Sequence, residues 1–584
     1  MSQSTENDPR RTPRSPLSGR ILIAALLATT AAASACERGQ PTGPDRAAPE
    51  RPSLALNPAC DPGLGGQTHT DSILVSTTWG PAGNPHRVDQ LIHIEGAAWL
   101  RLDPGTLVCF GSGGGLRAHN GGRVRVLGSA AAPVVLTATD PANGWLGVHL
   151  AGTPAASSVI DHLRLEHTRG AFAFATYDDH TASIDSSLFR QNEMGLYLWG
   201  YDTRMRRSQV DTVTDWVWPA VTLGRKTSFR QNVVRGAAGV GLSVLGTDSV
   251  LLGSGLVEGS GRVGLHVTTP GSGLLGIAQV RVTGGATYPA EMDVSAFARI
   301  YWAISHADSL LGNARDTVVI TGGALTETAH ASPTLPWRVT GEVAVEGNGI
   351  LRAHPGATIF FGPFGQVTAT SPGRVIARGT QAAPVLFTGG NWEGLHFHAP
   401  VQGQSTPTSY LTNVRVEGAS FYAVRALSPH PVVIDSAVFR QNGIAVSLEG
   451  PSRLSRSRVD TTLMSFGHAV GLSSNSVMES TLIRGSAGVG LRLYAGTAQI
   501  LSCEIRESAA EGIVTYGVGS VVQNCNLVNN GGVGIQALNF NGVIAEDNWW
   551  GDAAGPTGPN GDGVSDYVDY TPWRTTPYVL PYVP

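Results

Sequence analysis

Five arginines stand where a polyanion could be gripped. Arg190, Arg235, Arg440, Arg484 and Arg506 each follow an aliphatic or aromatic residue (Phe189, Val234, Phe439, Ile483, Ile505) near the end of an alternating apolar segment. Alternation sends neighbours to opposite faces, so an inward hydrophobe turns the arginine outward. A guanidinium is a planar fork of donors that matches a carboxylate or sulfate. A row of them would suit an acidic polysaccharide. The plain alternative is a solvated face, neutralised by neighbours such as Glu507.

Other titratable groups offer less. Asp552, Asn560, Asp562, Asp566 and Asp569 form an oxygen-rich, glycine-containing stretch. A calcium loop there would use Asp552, Asp562 and Asp566, although the spacing is not that of an EF-hand. Tyr177-Asp178-Asp179-His180 is the densest titratable cluster, and its carboxylates could share a cation in a loop or simply be solvated. His149 and His396 each stand four residues after a tryptophan, Trp145 and Trp392, and internal repetition explains both. Of the five cysteines, Cys60 and Cys109 are the expected disulfide, pinning the N-terminal part. Cys503 and Cys525 read as stacked, buried thiols, with a disulfide between them as the alternative if the Cβ geometry allows it, and no CxxC supports a cysteine metal site.

These residues need a scaffold, and repeats define it. Gly490-Leu491, Gly512-Ile513 and Gly534-Ile535 recur every 22 residues, as do Cys503 and Cys525, and Arg484 and Arg506. Between them run alternating stretches such as Ile500 to Ile505, which read as half-buried strands. A 22-residue strand–turn unit is too short for a βαβ crossover and suits one coil of a solenoid. Stacked arginines would then sit about 5 Å apart. A longer period also runs through the chain. Asp71–Ser76 matches Asp316–Thr321, Asp103–Thr106 matches His354–Ala357, Ala131–Val134 matches Ala382–Val385, Ile184–Asn192 matches Ile434–Asn442, and Val234–Leu242 matches Ile483–Leu491. The offsets lie between 245 and 251 residues, which predicts two tandem units, 71–315 and 316–584.

Composition agrees. Charged residues make up 14% of the chain, with 74 glycines and 35 prolines, which favours strands and turns over helices. A net charge of −4 over 584 residues points to no nucleic-acid partner. Lys226 is the sole lysine.

At the N-terminus, Arg10, Arg11, Arg14 and Arg20 precede the apolar run Ile21–Ala33, which is signal-length and too short to span a bilayer. Ala33-Ser34-Ala35-Cys36 resembles a bacterial lipobox, with Ala33 where leucine is usual. The resemblance implies a signal peptide over 1–35 and lipidation of Cys36, with the outer membrane suggested by Glu37; simple secretion is the alternative. Residues 36–66 read as a Pro/Gly-rich tether.

The coil repeats resemble the right-handed parallel β-helix, pectin-lyase-like family. So do the entry Leu100–Gly105, Thr106–Phe110 and Ala132–Leu136, and the aromatic tail Asn548-Trp549-Trp550-Gly551 through Trp573. The resemblance implies an all-β, right-handed parallel β-helix with a C-terminal aromatic cap. Many relatives cleave polysaccharides. The Asn-Thr-Asp, Gly-His-Gly and Arg-Ile-Lys motifs of polygalacturonase-like enzymes are absent here; pectate lyases use a calcium-binding carboxylate cluster, an arginine base and usually a lysine, and the sole lysine, Lys226, has no acidic partner nearby in sequence. Fold alone licenses no chemistry. The expectation is a monomeric, non-catalytic cell-surface or periplasmic lipoprotein. It would bind acidic polysaccharide or another surface partner, need no cofactor beyond a candidate calcium, and touch membrane only through its anchor. A polysaccharide lyase or glycoside hydrolase with an unfamiliar site, and a structural stalk or adhesin, are the alternatives.

Overall fold

A computed structural model describes residues 57–153, 157–245, 249–268, 275–304, 310–398, 407–427, 429–494, 496–538 and 542–581. The alternating segments fold as short strands, three to a coil, and each strand pairs in parallel with its counterpart in the next coil. Register stacks like on like. Phe189 lies beside Val210, then Val234, then Val257, all 3% exposed or less. No coil can bury its apolar face alone, so the stack is the source of stability. Trp145 and Trp392 are wholly buried and stack on Phe110 and Phe361 at 3.9 and 4.1 Å. The fold is a right-handed parallel β-helix.

One sheet of 19 parallel strands runs from Leu91–Ile94 to Asn526–Val528; we call it the spine sheet. Two sheets flank it in the first half. The ladder sheet contains Leu163–Glu166, Leu188–Asn192 and Gln209–Val213, and the groove sheet contains Thr203–Arg206, Thr227–Arg230 and Val250–Gly253. Two other sheets flank it in the second half.

The halves meet without a break in the spine: Ala290–Met292 pairs with Val318–Ile320, which pairs with Trp337–Val339. The strand-only reading of this region missed a helix, Val294–Ile304. Asp293 starts it by accepting the Ala296 N–H at 2.7 Å. Its buried Val294, Phe297 and Ile300 pack inward, with Phe297 edge-on to Trp337 at 4.8 Å. This coil replaces two strands by a helix, so matched segments change sheet. Ile184–Asn192 uses the groove and ladder sheets, whereas Ile434–Asn442 uses a second-half sheet and the spine. The Asp71–Ser76 and Asp316–Thr321 match does not follow this shift, since Ile73 bridges Ile94 and both segments touch the spine.

The corner between groove and ladder sheets is a single left-handed residue, repeated as Ser186, Arg207 and Gln231. The residue after each closes the backbone accounting. Ser208 Oγ accepts the Ser187 N–H at 3.0 Å, and Asn232 Oδ1 accepts the Ser208 N–H at 2.9 Å. At the C-terminus, buried Trp550 packs under Tyr570 and Trp573, while buried Asn548 donates to Val522 O and Ala545 O. That aromatic layer covers the last coil, which would otherwise leave an open edge.

Candidate functional site

The sequence-predicted arginines do lie in register on adjacent coils, but none stands without an acid. On the ladder sheet the outward row reads Glu166, Arg190, Asp211, Arg235, Glu258. Arg190 pairs with Glu166 at 3.2 Å and Arg235 with Glu258 at 2.9 Å. On the spine the matching row reads Glu417, Arg440, Asp460, Arg484, Arg506. Asp460, nearly buried, holds Arg440 at 3.5 Å and Arg484 at 3.4 Å, and Arg506 meets Glu504 at 3.1 Å. Acids beside every one of these arginines offset the field a polyanion would feel, even where Arg484 and Arg506 are register neighbours, so neither row is a free guanidinium ladder.

A different set of arginines borders open space. Where the groove sheet passes from Arg204, Ser228 and Leu251 to Gly276, the surface sinks into a groove of about 750 Å³. A second row, two residues along each strand, runs Arg206, Arg230, Gly253, Ala278. Glycine makes the depression. A Cβ at Gly276 would lie 2.8 Å from Leu251 Cδ2, and one at Gly253 would lie 3.3 Å from Arg230 Cγ. Arg206 donates to Asp185 at 2.7 Å and Arg204 to Asp202 at 3.0 Å. Burial alone would raise the Asp185 carboxyl, but hydrogen bonds from Arg207, Ser186 and Arg206 outweigh it and hold the group below the usual carboxylate range. Arg230 has no acidic partner among the described residues and is exposed. Sequence reading passed over it because Phe229-Arg230 looks like every other Phe-Arg step; only the empty neighbours Gly253 and Gly276 distinguish it.

The corresponding second-half face differs. There Arg453 pairs with Glu479 and Arg456 with Asp435, and Pro581 of the C-terminal segment lines the space of about 530 Å³.

The remaining expected residues fall as follows. Cys60 and Cys109 form a disulfide, and Cys503 and Cys525 are buried thiols on adjacent coils. Asp552 accepts the Ala554 and Asn560 N–H groups at 2.8 and 3.2 Å, closing its own loop. Asp562 is buried, and its carboxyl is raised by burial although Asn530 donates to it at 2.6 Å. Asp566 is exposed, and the three make no metal-sized cluster among the described residues. Asp178 turns a left-handed corner, Asp179 pairs with Arg225 at 3.2 Å, and His180 is buried against Ser158, so that tetrad shares no cation site. His149 bonds Phe172 O and His396 bonds Glu393 O, both half-buried. Cys36 lies outside the described residues.

Aromatic faces were also missed. On the spine, Phe172, Tyr197 and Trp199 form a stack with steps of 5.1 and 5.8 Å, and Trp218 meets Phe172 edge-on. On the matching second-half face Arg425 covers Tyr422 at 5.0 Å, and Tyr494 reaches His468. The alternation of Tyr197 and Trp199 was visible in the chain, but Phe172 meets Tyr197, and Trp218 meets Phe172, only from other coils, more than 20 residues away in sequence.

Residues 401–549 match a family described as the right handed beta helix region. No curated protein matches the chain. Among solved structures, a mutant of the PL6-family alginate lyase AlyGC is similar at 10% identity and a TM-score of 0.24, over 86% of this chain and 97% of that one.

Proposed function

We propose that this β-helix binds an extended acidic polysaccharide in the groove-sheet depression, without cleaving it. The carrying observation is Arg230, exposed and without an acidic partner among the described residues, beside Arg204 and Arg206 over a floor of Gly253, Gly276 and Ala278. Ser183, Ser228 and Gln231 add neutral donors and acceptors along the same wall. A shallow trough running across coils suits a polymer better than a compact ligand, and Arg forks select carboxylates and sulfates. The groups that line it support binding over cleavage. No carboxylate, histidine, lysine or tyrosine is among the described residues that line it, and Asp185 beside them is already held by Arg206 and Arg207. We further propose export and anchoring through a lipidated Cys36, which mass spectrometry of the mature N-terminus tests.

The functional reading is tested by titrating a polyuronate and a neutral polymer of equal length, at rising salt, while assaying reducing ends and unsaturated products. Saturable, salt-weakened binding of the polyuronate alone, with no product, supports it. Equal binding of both polymers, or product formation, overturns it.

A further inference from the structure

We infer that His93, Glu95 and His119 form a binding site for a divalent transition metal such as zinc, with one coordination position left open. The fold brings the three together. His93 and Glu95 are two apart on the outward side at the end of the spine strand Leu91–Ile94. His119 follows the next spine strand, where Ala118 is the register partner of Ile94, so it stands beside Glu95 one coil along. His93 Nδ1 lies 2.9 Å from His119 Nε2, and His119 Nε2 lies 3.4 Å from Glu95 Oε1. One ligand atom from each lies within 4.8 Å of the others, and no other described residues form such a group.

The spacing suits a small ion. With metal–nitrogen bonds of about 2.0–2.1 Å, neighbouring donors of a tetrahedral site are roughly 3.3 Å apart. The two distances that involve His119, 2.9 and 3.4 Å, bracket that value, so those pairs need shifts of only a few tenths of an ångström. The imidazoles meet edge-on at 86°, not face to face. Without metal they share one proton, which must move to the far nitrogen of its own ring, His93 Nε2 or His119 Nδ1, to free both lone pairs. Two imidazoles and a carboxylate are a borderline donor set that favours zinc, cobalt, nickel or copper over calcium. Three protein ligands leave the fourth position for water or an anion. The backbone holds the geometry: His119 N–H donates to Ile94 O at 3.0 Å and Glu95 N–H to Ile73 O at 3.1 Å. His330 and His354 offer an internal comparison. Their nitrogens approach to 2.8 Å, but the rings are parallel and no acid among the described residues completes a metal-sized group with them.

The site stands independently of the glycan reading. Zinc titration of the full chain by calorimetry, and cobalt loading followed by visible spectroscopy, test it. One equivalent of zinc should bind, and cobalt should give the absorption of a low-symmetry four-coordinate ion. His119→Ala should weaken zinc binding about 100-fold or more, since even outer-shell losses cost about 10–100-fold. Glu95→Gln, which keeps the side-chain shape, should weaken it at least about tenfold, and His330→Ala should leave it unchanged. Melting curves without metal confirm that each variant is folded. Absence of saturable binding, or equal affinity in wild type, Glu95→Gln and His119→Ala, overturns the assignment; so does a loss confined to His330→Ala.

Discussion

Lowering the pH should loosen the first-half coils through His180, and the effect can be worked out from its surroundings. His180 is fully buried. Its Nε2 lies 2.9 Å from Ser158 Oγ, and that oxygen already accepts the Val124 N–H at 3.0 Å. A carbonyl only accepts, so Ala151 O, 3.3 Å from Nδ1, takes the Nδ1–H, and Nε2 accepts the serine proton. The ring is held neutral, and burial pushes its pKa from 6.5 down to about 4, against a smaller opposing pull from Ala151 O. The unfolded chain gains this proton as pH falls through 6.5, whereas the folded chain resists until about 4. Stability is thus full above that range, falls as pH drops through it, and levels off below. At about 1.4 kcal/mol for each pH unit between 6.5 and 4, the loss approaches about 3.5 kcal/mol. Solenoids open locally, so the assay is hydrogen exchange of residues 157–185 at pH 7 and pH 4.5, corrected for intrinsic rates. Wild type should lose about 2–3 kcal/mol of protection, and His180→Gln should lose most of that pH dependence. Identical pH dependence in both proteins would refute the reasoning. The same arrangement recurs in Val375, Ser409 and His430, with contacts of 3.1 and 3.0 Å.

Removing the Cys60–Cys109 disulfide by Cys109→Ser opens a link between residues 49 apart in sequence. On chain entropy that costs about 4 kcal/mol, visible as a lowered melting point and protease sensitivity confined to the N-terminal coils. Asn442→Leu strands the Ala419 N–H and the Val416 carbonyl, which Asn442 now satisfies at 3.0 and 2.9 Å. Denaturant unfolding should show a loss of about 2–5 kcal/mol. Phe439→Ala, fully buried on the spine, should cost about 3–5 kcal/mol by the same measurement.

The solenoid was legible because its signals are local and periodic. Alternation around Ile500–Ile505 and the 22-residue step of Leu491, Ile513 and Ile535 translate directly into spine and flanking strands with that register. The outward direction of Arg484 and Arg506 was legible for the same reason. The charge balance of Arg484 was not, since Asp460 belongs to a neighbouring strand whose pairing depends on exact coil length, whereas Glu504 stands two residues before Arg506 on one strand and was open to the same alternation. The helix Val294–Ile304 escaped because its apolar residues lie between strand-like segments and only the cap at Asp293 marks it. The groove escaped most completely. It is made by what Gly253 and Gly276 lack, one and two coils beyond Arg230, and an absence of side chains has no motif.

The central claim is that Arg230, over the glycine floor, holds an acidic glycan. Its most direct test is polyuronate affinity of the wild type against Arg230→Ala and the groove-filling Gly276→Leu, with Arg484→Ala as the charge-matched control on the compensated row. Loss of one charge-assisted contact is worth about 1.5–3 kcal/mol. Arg230→Ala should therefore weaken binding by about 10- to 100-fold, Gly276→Leu should weaken it too, and Arg484→Ala should leave it unchanged. Undiminished affinity in both groove variants, or a loss seen only with Arg484→Ala, would contradict the account.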